Sequence, residues 1–357
     1  MITPLTELAY QGLQQTKNAF SLTHKSLAYQ LSNILTLEPK VSSPAPASPP
    51  KINPEIINIV QQELEKLLAL DWQEAETGIY PMDLLFPEDW QDTLFTYAKI
   101  WLDLPTTWQR RNRRDYQVFS SPIDRSLYPA YYLQNFHYQT DGYLSDQSAE
   151  LYDLQVDLLF NGAADAMRRR VLAPLKQSLS QWTENDRPLK VLDVACGTGR
   201  TLKFIRSACP QVSLHGVDLS APYLCKANQV LSKLPGALPQ LLQANGEDLP
   251  YVDGYFHAVT SVFLFHELPH PARQQVINEC FRVLKPGGTL ILCDSIQKGD
   301  IPAITPMLNW FHQTFHEPYY QHYLEDDLSD RLYNAGFVEV EMSTHYVSKY
   351  WVAHKRS

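Results

Sequence analysis

The sequence predicts an α/β fold: a mostly parallel sheet with helices on both faces and an antiparallel last strand, behind a mainly helical N-terminal extension. Three observations carry this. From Leu189 onward, short apolar runs alternate with helical patterns, the signature of parallel strands joined by crossover helices. The run Lys190-Val191-Leu192-Asp193-Val194-Ala195-Cys196-Gly197-Thr198-Gly199-Arg200 reads as a strand, a glycine-bearing turn and a helix start. Residues 337–342 and 349–354 then read as a closing hairpin.

Taken in order, the chain opens with Leu5, Leu8, Ala9, Leu13, Phe20, Leu27, Leu31, Ile34 and Leu35 at spacings of three and four. That is the period of an amphipathic helix or helix pair. Residues 1–38 are therefore a helical segment that docks on its own protein. The alternative is a helix lying on a membrane surface, although Glu7, Lys17 and Lys25 provide no strongly basic face. Residues 39–54 are proline- and serine-rich and read as an extended linker.

Residues 55–70 resume a helical pattern, with Ile56, Ile59, Val60, Leu64, Leu67 and Leu68 on one side. Aromatic residues then accumulate among proline breakers, so 55–150 reads as an accessory lid of short pieces wrapped on another surface. The stretch Tyr131–Tyr143 is densest in rings with polar tips, which suits a cover over an apolar ligand. Residues 151–357 form the α/β domain, entered through helical patterns over 149–182. Its strand candidates are 189–194, 213–217, 239–243, 258–262 and 289–294, with helices at 222–234 and 272–283. Leu284-Lys285-Pro286-Gly287-Gly288 marks a sharp helix exit before the fifth strand.

At 357 residues the chain exceeds one typical domain. A net charge of −9 excludes a general nucleic-acid binder, which needs a basic footprint. The basic run Arg110-Arg111-Asn112-Arg113-Arg114 reads as a solvated face. The five cysteines form no C-x-x-C pair, so they are expected as free thiols in a reducing compartment, with no disulfide and no zinc. No signal peptide and no apolar run of about 18 residues is present. The expected location is cytoplasmic, with membrane association through residues 1–38 as the open alternative. Oligomeric state is not legible.

Glycines after a strand let the backbone approach a nucleotide-like ligand, and an acid about 20 residues further on meets its ribose. Asp218 is that acid. A dinucleotide site expects a third glycine where Leu202 stands, so a nicotinamide oxidoreductase is disfavoured. The sequence Asp193-Val194-Ala195-Cys196-Gly197-Thr198-Gly199 resembles motif I of the class I S-adenosylmethionine-dependent methyltransferases, in the variant of UbiE-type quinone methyltransferases. The resemblance covers roughly residues 150–357 and extends to the closing hairpin. It implies a Rossmann-like class I methyltransferase sheet and S-adenosyl-L-methionine as cofactor. It also implies an enzyme moving a methyl group to oxygen or carbon of a small lipophilic or aromatic, quinone-like acceptor. A non-catalytic S-adenosylmethionine-binding module, whose N-terminal region binds a partner protein, is the competing class.

By the same resemblance, Asp193, Ala195, Cys196, Gly197 and Gly199 form the loop that holds the methionine end. Asp218 takes the ribose hydroxyls, since two carboxylate oxygens match a vicinal diol, and Leu219 packs on the adenine. Asn245 and Gly246 stand where the family contacts the adenine edge, with Asn245 in place of the usual acid. His266 and Glu267 follow the fourth strand at the ligand crevice. They are the candidates for base and acceptor contact, with His316 a weaker candidate. His312, His316 and His322, taken with Glu317, have no recognised metal spacing, so no metal is expected.

Overall fold

The computed structural model describes residues 4–35, 54–86, 90–120 and 122–357. The expected linker at 39–54 lies outside the described residues except for Pro54, as do residues 36–38. Seven strands form one sheet: β1 (Lys190–Val194), β2 (Ser213–Asp218), β3 (Gln240–Gln243), β4 (Phe256–Val262), β5 (Leu284–Ser295), β6 (Phe337–His345) and β7 (Ser348–Lys355). Their order is β3-β2-β1-β4-β5-β7-β6. β1 to β5 are mutually parallel, and β7 runs antiparallel between β5 and β6.

The order reverses between β1 and β4, so the crevice beyond their carboxyl ends is the natural ligand site. Central strands covered on both faces need continuous apolar sequence, and Leu290, Ile291, Leu292 and Cys293 of β5 are all fully buried. β3 is short and mostly exposed, and β6 carries Glu339 and Glu341, which suits the two edges.

The extension begins with α1 (Pro4–Leu35), α2 (Pro54–Glu76) and α3 (Trp90–Arg113), followed by α4 (Asp146–Leu159), α5 (Ala164–Arg169) and α6 (Leu172–Ser180). Within the sheet region come α7 (Arg200–Ala208), α8 (Ala221–Leu231), α9 (His270–Val283), α10 (Thr305–Thr314), α11 (Tyr320–Tyr323) and α12 (Leu328–Ala335). α6, α7 and α8 bury Leu172, Leu175, Phe204, Ile205, Ala227 and Leu231 in one core layer. α9, α11 and α12 bury Val276, Ile277, Cys280, Tyr323, Leu328 and Leu332 in the other. The helix exit read at 284–288 is a register shift inside β5: Leu284 pairs with Phe256 and the next pair is Thr289 with Ala258.

α1 packs on α3 and α4, but not through its leucines. The docked side holds Tyr10, Gln14, Ser21 and His24, while Leu5, Leu8, Leu22, Leu27 and Tyr29 are exposed. Polar contacts select that side: Tyr10 Oη donates to Asp71 Oδ2 at 2.7 Å, and Lys17 Nζ and Lys25 Nζ donate to the Gly162 and Leu159 carbonyls. α2 is tied to α5 through Asp71, which is fully buried and accepts from Arg169 Nε at 2.8 Å and Nη2 at 2.6 Å. Tyr80 Oη completes the cluster at 2.6 Å from Asp71 Oδ1. Such a pair offsets its desolvation only when its other hydrogen-bonding positions are filled, and here the two tyrosines fill them.

Candidate active site

The loop after β1 places a left-handed residue at every second position: Ala195 at φ 57°, Gly197 at 53° and Gly199 at 78°. Left-handed backbone disfavours a Cβ, and Ala195 meets the requirement with the smallest side chain that has one. Gly199 is fixed by packing as well, because a Cβ there would stand 3.0 Å from Ala227 Cβ and Leu231 Cδ1 of α8. Thr198 Oγ1 donates to Asp153 of α4 at 2.9 Å, and Arg200 Nε donates to Asp165 Oδ1 at 3.0 Å. The extension therefore holds the loop from above.

Asp218 ends β2 on the wall of a cleft. Its Oδ2 accepts from Gly197 N at 2.9 Å and its Oδ1 from Ser220 N at 2.8 Å. Each oxygen keeps a lone pair for a further donor, so the donor set fits a vicinal diol. Burial raises its pKa to about 6 against the pull of those two backbone hydrogen bonds.

Ala195, Gly197, Leu219, Asn245 and Gly246 line the same cleft. Asn245 Oδ1 accepts from Glu247 N at 3.0 Å. Asp193 and Cys196 are not on the cleft wall. Asp193 is buried, accepts from Thr260 Oγ1 at 2.6 Å, and is pushed up to about 7 by burial with a contribution from Asp218. Cys196 donates its backbone N–H to the Val217 carbonyl at 3.0 Å and buries its thiol in the core.

The roof comes from the extension. Tyr131, Tyr132, Phe136 and Tyr143, joined by Tyr152 of α4 and Tyr223 of α8, wall the cleft with rings. Tyr131 Oη donates to Glu247 Oε1 at 2.6 Å, latching the roof onto the segment after β3. Arg110, read from sequence as part of a solvated face, is instead buried. Its Nε donates to the Tyr138 carbonyl at 2.9 Å and its Nη2 to Thr140 Oγ1 at 2.7 Å. These bonds anchor the ring-rich stretch to α3.

Beyond β4, Glu267 reaches the cleft wall and accepts a short hydrogen bond from Tyr143 Oη. Two histidines flank it: His137 Nε2 at 3.5 Å and His266 Nε2 at 3.8 Å. His266 Nδ1 lies 2.6 Å from Asp294 Oδ1, and Asp294 Oδ2 accepts from Phe265 N at 2.7 Å. Burial alone would lower the His266 pKa. The charge and hydrogen bond of Asp294, with smaller contributions from Glu317 and Glu267, raise it instead to about 9. His137 behaves alike: burial opposes its charge, but Glu317 and Glu267 carry it up to about 10. Both rings therefore favour the cationic form at neutral pH.

His316 stands apart from the cleft wall. It stacks on Tyr116 at 4.6 Å, contacts Gln134 Oε1 at 3.0 Å, and is pushed down to about 4 by burial and then by His137. The structure thus brings Glu267 to the cleft, sets His266 behind it and leaves His316 outside. His137 and Glu247 were missed in the sequence, and Glu317 was weighed only beside His312, His316 and His322. His137 lies in the stretch singled out for its rings, but no spacing connects residues that meet only through the fold.

Residues 191–288 match the family described as a methyltransferase domain. The chain is 30% identical over 151 residues to the demethylmenaquinone methyltransferase of Thermotoga maritima, covering 42% of this chain and 59% of that one. Against the enzyme of the same name from Lactiplantibacillus plantarum it is 31% identical over 170 residues, covering 47% and 67%. A solved structure of a SAM dependent methyltransferase from Aquifex aeolicus aligns with 51% of this chain and 88% of its own, at 20% identity and TM-score 0.38.

Proposed function

The chain belongs to the class I S-adenosylmethionine-dependent methyltransferases, and from that premise we propose that it methylates oxygen or carbon of a small lipophilic or aromatic, quinone-like acceptor. When bound, S-adenosylmethionine supplies a methyl group on a positively charged sulfonium. Asp218, the loop from Ala195 to Gly199, Leu219 and Asn245 would hold it. Its binding fits the carboxylate oxygens left open at Asp218.

The observation that carries the acceptor reading is Glu267. Its carboxylate stands at the wall of a ring-lined cleft, bonded by Tyr143 and set between two cationic histidines. Methyl transfer is an in-line displacement, so alignment of the two reactants supplies most of the catalysis. An acceptor hydroxyl or acidic carbon must also lose a proton, and a base within hydrogen-bond reach typically contributes about 10²–10⁴-fold. With His266 and His137 held protonated, Glu267 is the group free to take that proton. The charged rings beside it favour a developing acceptor anion. Apolar walls of tyrosine and phenylalanine favour a flat, lipophilic acceptor.

The test is a panel of acceptors incubated with methyl-labelled S-adenosylmethionine and analysed by mass spectrometry. A reduced demethylnaphthoquinone with a short tail should gain one methyl, while an ethanolamine-headgroup lipid should not. Methylation of the amine alone would overturn the acceptor assignment.

The exposed Leu5, Leu8, Leu22, Leu27 and Tyr29 of α1 support a second proposal, peripheral contact with a membrane that carries the acceptor. Among the described residues no helix is long and apolar enough to cross a membrane. Co-sedimentation with lipid vesicles should be reduced by Leu5→Ser, Leu8→Ser and Leu27→Ser together, and equal sedimentation would remove α1 from such contact.

A further inference from the structure

We infer that His137, Glu267 and Glu317 form a binding site for one divalent transition-metal ion, set in the wall of the cleft. The ligand atoms of these three side chains lie within 4.8 Å of one another. They come from three separate parts of the chain: the ring-rich roof, the turn after β4, and the segment between α10 and α11. A backbone hydrogen bond from His137 N to the His316 carbonyl, at 3.4 Å, brings the first and third together. The inference departs from the sequence expectation of no metal, which weighed His312, His316 and His322 with Glu317 and did not include His137 or Glu267.

Glu317 points independently to a ligand. It is 2% exposed, and apart from His137 no described residue donates to its two carboxylate oxygens. Its polar contact is His137 Nε2 at 2.5 Å. A buried carboxylate left with so few donors is costly, and a cation bound beside it would remove that cost. The separations also suit an ion. His137 Nε2 is 2.5 Å from Glu317 and 3.5 Å from Glu267, whereas two ligands each about 2.1 Å from one ion stand roughly 3–3.4 Å apart. Small side-chain shifts would let an ion take the place of the direct contact between His137 and Glu317.

One imidazole and two carboxylates suit zinc, manganese or iron better than copper(I), which takes soft sulfur ligands. Three protein ligands leave coordination positions open, as in catalytic rather than structural sites. Because Glu267 lines the cleft, those positions would take water or an oxygen of the acceptor. The site rests on the acceptor reading only for the position of the cleft: with the ion bound, His137 and Glu267 are ligands and the ion, in place of the charged His137 ring, would face the acceptor oxygen. Ion binding is measured without methyl transfer, so either can fail alone.

The experiment strips the full-length protein with a chelator and dialyses it against Zn²⁺ or Mn²⁺, with elemental analysis of bound metal. The wild type should retain one ion per chain. Glu317→Gln and His137→Gln should each weaken binding by at least about tenfold, while S-adenosylhomocysteine calorimetry verifies that both variants are folded. His322→Gln serves as control, since His322 sits beside His270 and contacts Arg273 in a different cluster. It should leave the stoichiometry unchanged. Substoichiometric metal in the wild type, or one ion that survives both Glu317→Gln and His137→Gln, would overturn the site and leave an internal ion pair only.

Discussion

Asp218 joins sequence to chemistry most directly, because it closes β2, caps the turn that follows and leaves one lone pair on each oxygen for a ligand. Asp218→Ala should weaken S-adenosylhomocysteine by about 1.5–3 kcal/mol, the range for a hydrogen bond to a charged group, or roughly 10- to 150-fold. Calorimetry checks this, and an unchanged affinity would remove Asp218 from the site. With its pKa raised to about 6, the wild-type affinity should be flat above pH 7. It should fall by about tenfold per unit below 6, where the carboxyl becomes neutral. Asp193 makes the linkage visible in stability. Its folded pKa of about 7 lies above the unfolded value near 3.9, so the folded state binds the proton more tightly. The contribution of Asp193 to stability is therefore greatest at low pH and declines as pH rises from about 4 through 7. Denaturant titrations at pH 5 and 8 should show a smaller difference for Asp193→Asn than for the wild type, by roughly 1–3 kcal/mol. An equal difference would mean that Asp193 is ionised throughout.

Among the elements, legibility follows how local the determinant is. β1, its loop and α7 were readable because a buried strand, a left-handed turn and a helix start impose their residue types on one short run. Ala195 takes its left-handed φ with the smallest side chain that has a Cβ. The buried side of α1 was not readable. Its leucines keep helical period, but Asp71, Asp157 and the carbonyls of Leu159 and Gly162 lie far away in sequence, and they draw the polar side inward. Arg110 misled for the same reason, since a run of arginines looks solvated until the carbonyl it serves at Tyr138 is known. The tie between α2 and α5 has a measurable consequence. Asp71→Ala would strand the Arg169 guanidinium in the interior and leave Tyr10 and Tyr80 without their shared acceptor. Breaking one side of a buried pair costs about 3–5 kcal/mol, which chemical denaturation should register. A loss below about 1 kcal/mol would show that water reaches the cluster.

Over the whole molecule, the parallel sheet supplies the cofactor side of the cleft and the N-terminal extension supplies its roof. Glu267 stands where the two meet, bonded by Tyr143 from the roof and backed by His266 and Asp294 from the sheet. The alternation of strands and helices, the closing hairpin and the glycine-bearing loop followed from sequence pattern, whereas the strand order did not. Of the acid–histidine chain only His266 and Glu267 did, because its members lie at 137, 266, 267, 294 and 317 and have no common period. The account therefore depends on Glu267 acting in transfer rather than in cofactor binding. The direct measurement pairs calorimetry of S-adenosylhomocysteine with single-turnover methyl transfer to a reduced demethylnaphthoquinone, in wild type and Glu267→Gln. Affinity should stay within about threefold, while transfer falls by about 10²-fold or more. Transfer by Glu267→Gln at the wild-type rate, with affinity intact, would contradict the account.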